Sequence, residues 1–317
     1  MKEFFGGFLA AFLALPAWAN DSTAVQEAGG LRLVRDAPVE MLQEDLTISP
    51  TQVDVSYLFR SAYDMDVKTL VAFPLPEYDL AWHGYSVLGG PGDTVRSRGD
   101  FKIWVDDRRI VPQLEVRALR NGIDVTQVLR DAGIPPETLD FDFLTSHIAS
   151  LPADVQQRLV QADLVEAYGG GEFQPEWTIK ATYFWMQEFP AEQIVNIRHS
   201  YEPIAGQFFI SHPELKDVET EKFCMSSGEK QGVLNRLNKS QYDILIGTEV
   251  HYVLSTGANW HGPIQSFNLT IDKADPAAMV SLCFDGLKKV APTRFEARLR
   301  DFTPERDLQI LFVSAPE

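Results

Sequence analysis

Six histidines are the residues most able to move protons or hold metal in this chain: His83, His147, His199, His212, His251 and His261. No two stand four apart, the spacing that would place both on one helix face around a metal, and no two stand two apart on a strand. His199 shares an apolar strand face with Val195, Ile197 and Tyr201. That setting favours a hydrogen-bonded core histidine over a ligand or base. His251 comes near His199 only if the fold brings their strands together. Two aromatic loops, Trp82-His83-Gly84-Tyr85 and Asn259-Trp260-His261-Gly262-Pro263, could present rings to a glycan or a protein. The competing expectation is that the tryptophans fold back and close the ends of a sandwich. The carboxylate pairs Asp106-Asp107 and Asp140/Asp142 are the kind of groups a glycosidase sets across a cleft, but spacing alone pairs none of them. The stretch from Gly84 to Gly89 misses a nucleophile-elbow spacing by one residue and precedes no helix, so a structural loop is expected there. No motif calls for a metal or a cofactor.

The elements that would hold these residues are mostly strands. Over 51–60, Val53, Val55, Tyr57 and Phe59 alternate with Gln52, Asp54 and Ser56, the period of a half-buried strand. The same period recurs over 66–76, and Ser61-Ala62-Tyr63-Asp64 between them suggests an antiparallel hairpin. Further strands are expected over 101–105 and 110–118, with the turn at Asp106-Asp107. Past Asn121-Gly122 the pattern turns helical. Asp124 can cap one short helix, Pro135-Pro136 can open another, and Ser150 can cap a third ahead of Pro152. Gly169-Gly170-Gly171 reads as a linker. From 177 onward the chain is β again, with strands around His199, over 250–254, 264–271, 295–299 and 308–313. The fold class is therefore mainly β, antiparallel sandwich regions with a short helical insert.

Composition bounds what this body can do. The 317 residues are 45% hydrophobic with a formal net charge of −17. Such a chain is repelled by phosphate backbones and anionic headgroups, so nucleic acid and membrane surfaces are not expected partners. Its first residues look like a secretory leader: Lys2, an apolar run from Phe4 to Leu15, then the small-x-small site Ala17-Trp18-Ala19 ahead of Asn20. The run is too short to span a bilayer, and cleavage between Ala19 and Asn20 would leave no membrane span. The expected location is the periplasm, or outside the cell. In that oxidising setting the two cysteines, Cys224 and Cys283, should be bonded to each other. The expected organisation is a leader over 1–19, an N-terminal β region over 20–120, a helical insert and linker over 121–171, and a C-terminal β region over 172–317.

Several segments, in order, carry a resemblance. They include Glu44-Asp45-Leu46, Ile48-Ser49-Pro50, Val71-Ala72-Phe73-Pro74-Leu75-Pro76, Gln187-Glu188-Phe189-Pro190, His199-Ser200-Tyr201-Glu202-Pro203, Trp260-His261-Gly262-Pro263-Ile264 and Phe302-Thr303-Pro304. Together they resemble the bacterial domain of unknown function 4424 family over nearly the whole mature chain. The resemblance implies an exported protein with an immunoglobulin-like β-sandwich component, and it supports the Cys224–Cys283 pairing. It implies no activity and supplies no catalytic residue. The first strand pair is also similar to β-sandwich domains of the inter-alpha-trypsin inhibitor type, over that one stretch. The reading that follows is a non-enzymatic binding or interaction module for an envelope protein or glycan. Its alternatives are an envelope hydrolase built on His199, His251 and carboxylates, and a small-ligand or metal binder using the tryptophan loops.

Overall fold

The computed structural model describes residues 20–27, 30–35, 37–83, 91–212, 215, 218, 221–240 and 242–316. The expected leader over 1–19 lies outside them. Two large sheets face each other. One has eight strands in the order Lys288–Lys289, Arg294–Phe302, Ile264–Asp272, Val39–Ile48, Val53–Ser61, Ile194–Tyr201, Lys102–Val105 and Arg108–Ile110. The other has seven. Its path runs Ile123–Asp124, Gln113–Arg120, Thr178–Phe189, Val67–Pro74, Ser22–Glu27 and Gly30–Val34, with Tyr78–Asp79 also pairing on Thr178–Phe189. Within these sheets neighbours run antiparallel except Ile264–Asp272 beside Val39–Ile48, which are parallel. Strands from before and after the helical segment lie side by side, as Val53–Ser61 does with Ile194–Tyr201.

The hairpin expected over 51–76 does not form. Val53–Ser61 and Val67–Pro74 lie in different sheets, each paired to other strands. A hairpin would put both apolar rows on one face of one sheet. An arch across the core sets the rows opposite each other, so that both are buried by one interior. Ser61 shapes that arch, its hydroxyl donating to the carbonyls of Tyr63 and Met65 at 2.8 Å each. Asp106 and Asp107 do form the expected turn, both with positive φ (47° and 62°), the geometry of a tight two-residue hairpin. That hairpin joins Lys102–Val105 to the short strand Arg108–Ile110, and Gln113–Arg120 then crosses to the other sheet.

The helical segment holds Thr126–Asp131, Phe141–Ser150 and Ala153–Gln161. Asp140, not Ser150, caps a helix, its carboxylate accepting from Phe143 N at 2.8 Å. Ser150 ends that same helix, and Pro152 stands at the cap of the next. Leu129, Leu144, Ile148 and Leu159 join the main core. The glycines at 169–171 are no linker: they turn a small hairpin between Val165–Tyr168 and Glu172–Pro175.

A third sheet has four strands, Gly206–Ile210, Leu245–Tyr252, Leu308–Ser314 and Met279–Leu282, of which Leu308–Ser314 is buried on both faces. Ile310 and Phe312 face the main core. Leu311 and Val313 face a second core with Val233 and Leu237 of helix Ser227–Leu237, an element the sequence reading did not anticipate. Cys224 and Cys283 are bonded beside this core, with Cα atoms 5.0 Å apart.

Candidate functional site: a buried polar chamber beneath a charged cleft

Where the two large sheets meet, polar side chains replace the expected hydrocarbon. Each reaches the interior by strand alternation. Tyr57 follows Val53 and Val55 inward, and His199 follows Val195 and Ile197. Glu44 arrives by a different route. The register of Val39–Ile48 against its neighbour shifts between Met41 and Gln43. The extra residue reverses the alternation, so Val39 and Met41 face inward before it and Glu44, Leu46 and Ile48 after it.

The start of the described chain threads into this space. Asn20, Asp21 and Ser22 are wholly buried. Asn20 N donates to the Thr256 hydroxyl, which donates back to Asn20 O at 2.7 Å. The Asn20 side-chain amide donates to both Glu44 oxygens at 3.1 and 3.2 Å, while Tyr57 OH donates to Asn20 Oδ1 at 2.5 Å. Tyr252 OH lies 3.1 Å from Tyr57 OH and donates to Glu44 at 3.5 Å. Trp260 Nε1 donates to Asp21 O at 2.6 Å, and Asn259 Nδ2 to Ser22 Oγ at 3.0 Å. The turn Ser255–Asn259 fits so closely that a Cβ at Gly257 would stand 2.9 Å from Asn20 Nδ2.

Burial dominates the electrostatics of the chamber. It pushes the Glu44 carboxyl up to about 8 despite the hydrogen bonds from Asn20 and Tyr252 that favour its anion. Burial and then the charge of Glu44 raise Asp21 well above the usual carboxylate range. Burial brings His199 down to about 3. The His199 Nε2 to Asp21 Oδ2 separation is 3.5 Å, and neither group makes a side-chain hydrogen bond. Burial thus disfavours the charged form of each. The rings of Phe73, Phe101, Tyr57 and Trp185 surround the imidazole at centroid distances from 4.8 to 5.6 Å.

Above the chamber lies an open cleft of about 700 Å³. Arg35, Lys222 and Arg306 face Glu221, Glu305 and Asp307 around it, with Asn259, Ser255 and Gln309 among its other walls. Beside it, Glu249 binds Lys222 at 2.5 Å and also His251. Burial alone would raise Glu249; the His251 hydrogen bond and charge, then the Lys222 ammonium, overcome this and bring it to about 2. Asp307 accepts from Ser255 N at 3.0 Å and Ser255 Oγ at 2.6 Å, yet burial keeps its carboxyl above the ordinary value.

The candidates named from sequence fall in separate places. His199 and Trp260 are buried side chains of the main interior. Trp260 packs on Phe59 and Phe189 rather than offering its ring to solvent. His251 belongs to the four-stranded sheet with Glu249. His261 lies beside Tyr63, the rings tilted and their centroids 5.9 Å apart. Trp82 and His83 close the short helix Leu80–His83, but their side chains, and Tyr85 and the loop to Gly89 entirely, lie outside the described residues. His199 is wholly buried and lies in a different sheet from His251, whose imidazole meets Glu249 instead. Asp140 is spent on its helix cap and on Gly92 N at 2.7 Å. Among the described residues, no group of three or more His, Cys, Asp or Glu side chains could hold a metal ion. None of their helices is long and apolar enough to cross a membrane. Asn20 was singled out from sequence only as the residue after a cleavage point; Asp21, Glu44, Tyr57 and Tyr252, and the cleft residues Arg35, Lys222, Arg306 and Asp307, were not singled out as site residues. Glu44, in step with Leu46 and Ile48, carried the clearest available signal.

The fold and site define a mainly β protein of antiparallel sheets, with a polar interior and a charged cleft. The chain belongs to a family described as a domain of unknown function (DUF4424), whose pattern matches residues 19–311. No curated protein matches it. Among solved structures, it is similar to one from Legionella pneumophila described as a "putative nutrient binding protein", at 15% identity and a TM-score of 0.46, over 93% of this chain and 70% of that one. It is more distantly similar to a two-domain M1 zinc metallopeptidase mutant bound to L-arginine, at 10% identity and a TM-score of 0.24, over 88% of this chain and 43% of the other.

Proposed function

We propose that this protein is exported to the periplasm and acts there as a non-catalytic binding module of the cell envelope, taking its partner in the charged cleft. On this reading the two facing sheets are an immunoglobulin-like sandwich to which the four-stranded sheet is added. The observation that carries the proposal is the cleft itself, about 700 Å³ in volume and lined by cations and carboxylates on walls from 35, 221–222, 255–259 and 304–309. Charges of both signs in an open cleft suit a polar partner with complementary charges, a peptide segment of an envelope protein in preference to an apolar ligand. The leader-like first residues and the Cys224–Cys283 bond support an oxidising location outside the cytoplasm.

The test is site-specific photo-crosslinking in the native cell. A photo-reactive residue replaces Gln309 in the cleft or, as a control, Thr145 in a separate depression near Phe141 and Tyr168. The expected result is one reproducible adduct from position 309, absent from 145 and lost on Arg306→Glu. Equal labelling from both positions, or an adduct indifferent to Arg306→Glu, would contradict the assignment.

A further inference from the structure

The buried chamber is short of a cation. Asp21 and Glu44 are both wholly buried. Both Asp21 oxygens lack a hydrogen-bond partner. Among the described residues no lysine or arginine pairs with either carboxyl, and the other groups facing them are His199, held neutral by burial, and the hydroxyls of Tyr57 and Tyr252. Burying two carboxyls without a counter-ion is costly, whether as anions or by forcing them to keep their protons. A nitrogen placed to fill the gap once it carries a charge is the backbone N of Asn20, buried and directed at Thr256 Oγ1. The α-nitrogen and side-chain nitrogen of one asparagine lie within about 5 Å of each other by covalent geometry. The side-chain nitrogen stands 3.1 Å from Glu44. Asp21 is the next residue along the chain.

We propose that the α-amino group freed by cutting between Ala19 and Asn20 is an internal part of the fold, a buried ammonium that serves as counter-ion to Glu44 and Asp21. The step is a hydrolysis by a leader peptidase of the exporting cell. One water adds across the Ala19–Asn20 bond, its hydroxyl to the Ala19 carbonyl carbon and its hydrogen to the Asn20 nitrogen. At neutral pH the acid proton of Ala19 passes to that nitrogen, leaving a carboxylate and an ammonium. Before the cut, Asn20 N has one hydrogen and no charge. After it, three hydrogens and a positive charge occupy the same place, enough to keep the Thr256 contact and also meet the carboxyls. Processing then does more than release the protein: it completes the interior, and a chain still carrying its leader reaches a less stable core. The inference rests on the export reading proposed above, through the position of the cut.

The experiment uses the full mature chain with an authentic Asn20 start, made by removing a cleavable fusion so that export is not needed. A second form carries one added glycine ahead of Asn20, and a third carries Glu44→Gln. Each is labelled with an amine-reactive ester, folded and in urea, and peptide mass spectrometry compares the α-amine with surface lysines. The expected result is an α-amine labelled at least ~100-fold more slowly in the folded protein than in urea, while the lysines change little. The glycine-extended chain is expected to melt roughly 5 °C lower. An α-amine that labels at its unfolded rate, or an extended chain with unchanged melting, would overturn the proposal. If Glu44→Gln does not fold, the labelling of the unsubstituted chain still decides. Terminal sequencing of the protein from its own cell separates the two readings. A chain retaining Met1 to Ala19 removes both, whereas a cut at another bond, or a start at Asn20 with a fully reactive α-amine, removes the buried counter-ion alone.

Discussion

At the scale of single residues, His199 gives a sharp pH signature. Its imidazole is held at about 3 by burial, against about 6.5 in an unfolded chain. Above pH 6.5 both states are neutral and the group contributes nothing to pH dependence. As pH falls toward 3, the unfolded chain takes up a proton that the folded chain refuses. The folded state then loses about 1.4 kcal/mol per pH unit from this group. Phenylalanine at 199 fits the ring cage of Phe73, Phe101, Tyr57 and Trp185 and does not titrate. Urea denaturation of His199→Phe and the unsubstituted protein, between about pH 7 and about pH 4.5, should show the variant gaining by that slope as pH falls. A difference moving the opposite way would mean a charged Asp21–His199 pair. The inward face of His199 was legible from its alternation with Val195, Ile197 and Tyr201. Its partner Asp21 was not, because a residue just past a cleavage site reads as the start of a solvated chain.

At the scale of elements, the strand Leu245–Tyr252 holds the cleft residue Lys222 through Glu249, and the disulfide places Cys283 in the cleft wall. Glu249 is held at about 2 by His251 and Lys222 against its burial, compared with 4.5 when unperturbed. Its folded pKa is depressed, so its stabilisation is present above pH 4.5 and is lost as pH falls toward 2. We expect Glu249→Gln to cost roughly 2 kcal/mol at neutral pH and almost nothing at the acid end, read by denaturation at both pH values. The Cys224–Cys283 bond closes a separation of 59 residues. Replacing both cysteines by serine should cost about 4 kcal/mol in the chain-entropy account. Hydrogen exchange should show helix Ser227–Leu237 opening first, because its Val233 and Leu237 contacts belong to the small second core. Uniform loss of protection across all three sheets would contradict that order. Strand identity was mostly readable here, since alternation reports which face is buried. Pairing was not: 53–61 and 67–74 carry the same alternation whether they form a hairpin or an arch, and only the facing sheet decides. Glu44 was readable only from its step with Leu46 and Ile48, because the bulge between Met41 and Gln43 puts it out of phase with Val39 and Met41 without marking itself in the sequence.

At the scale of the whole molecule, the two large sheets, the helical segment and one face of the third sheet share a single hydrophobic core. The first residues of the described chain run through its centre. Composition and the spacing of strands were enough to anticipate a mainly β body, while the way distant segments share sheets depends on contacts that no local pattern encodes. The chamber and cleft were unreadable for the same reason, as Glu44 and Tyr252, or Arg35 and Arg306, are joined by topology alone. The central proposal is that an exported, oxidised chain begins at Asn20 and builds that residue into its interior. Its most direct test is the intact mass, without reduction, of the protein recovered from its own cell's soluble envelope fraction. The account predicts a chain starting at Asn20 with Cys224 and Cys283 bonded. A chain retaining Met1 to Ala19, or one with both thiols free, would contradict it.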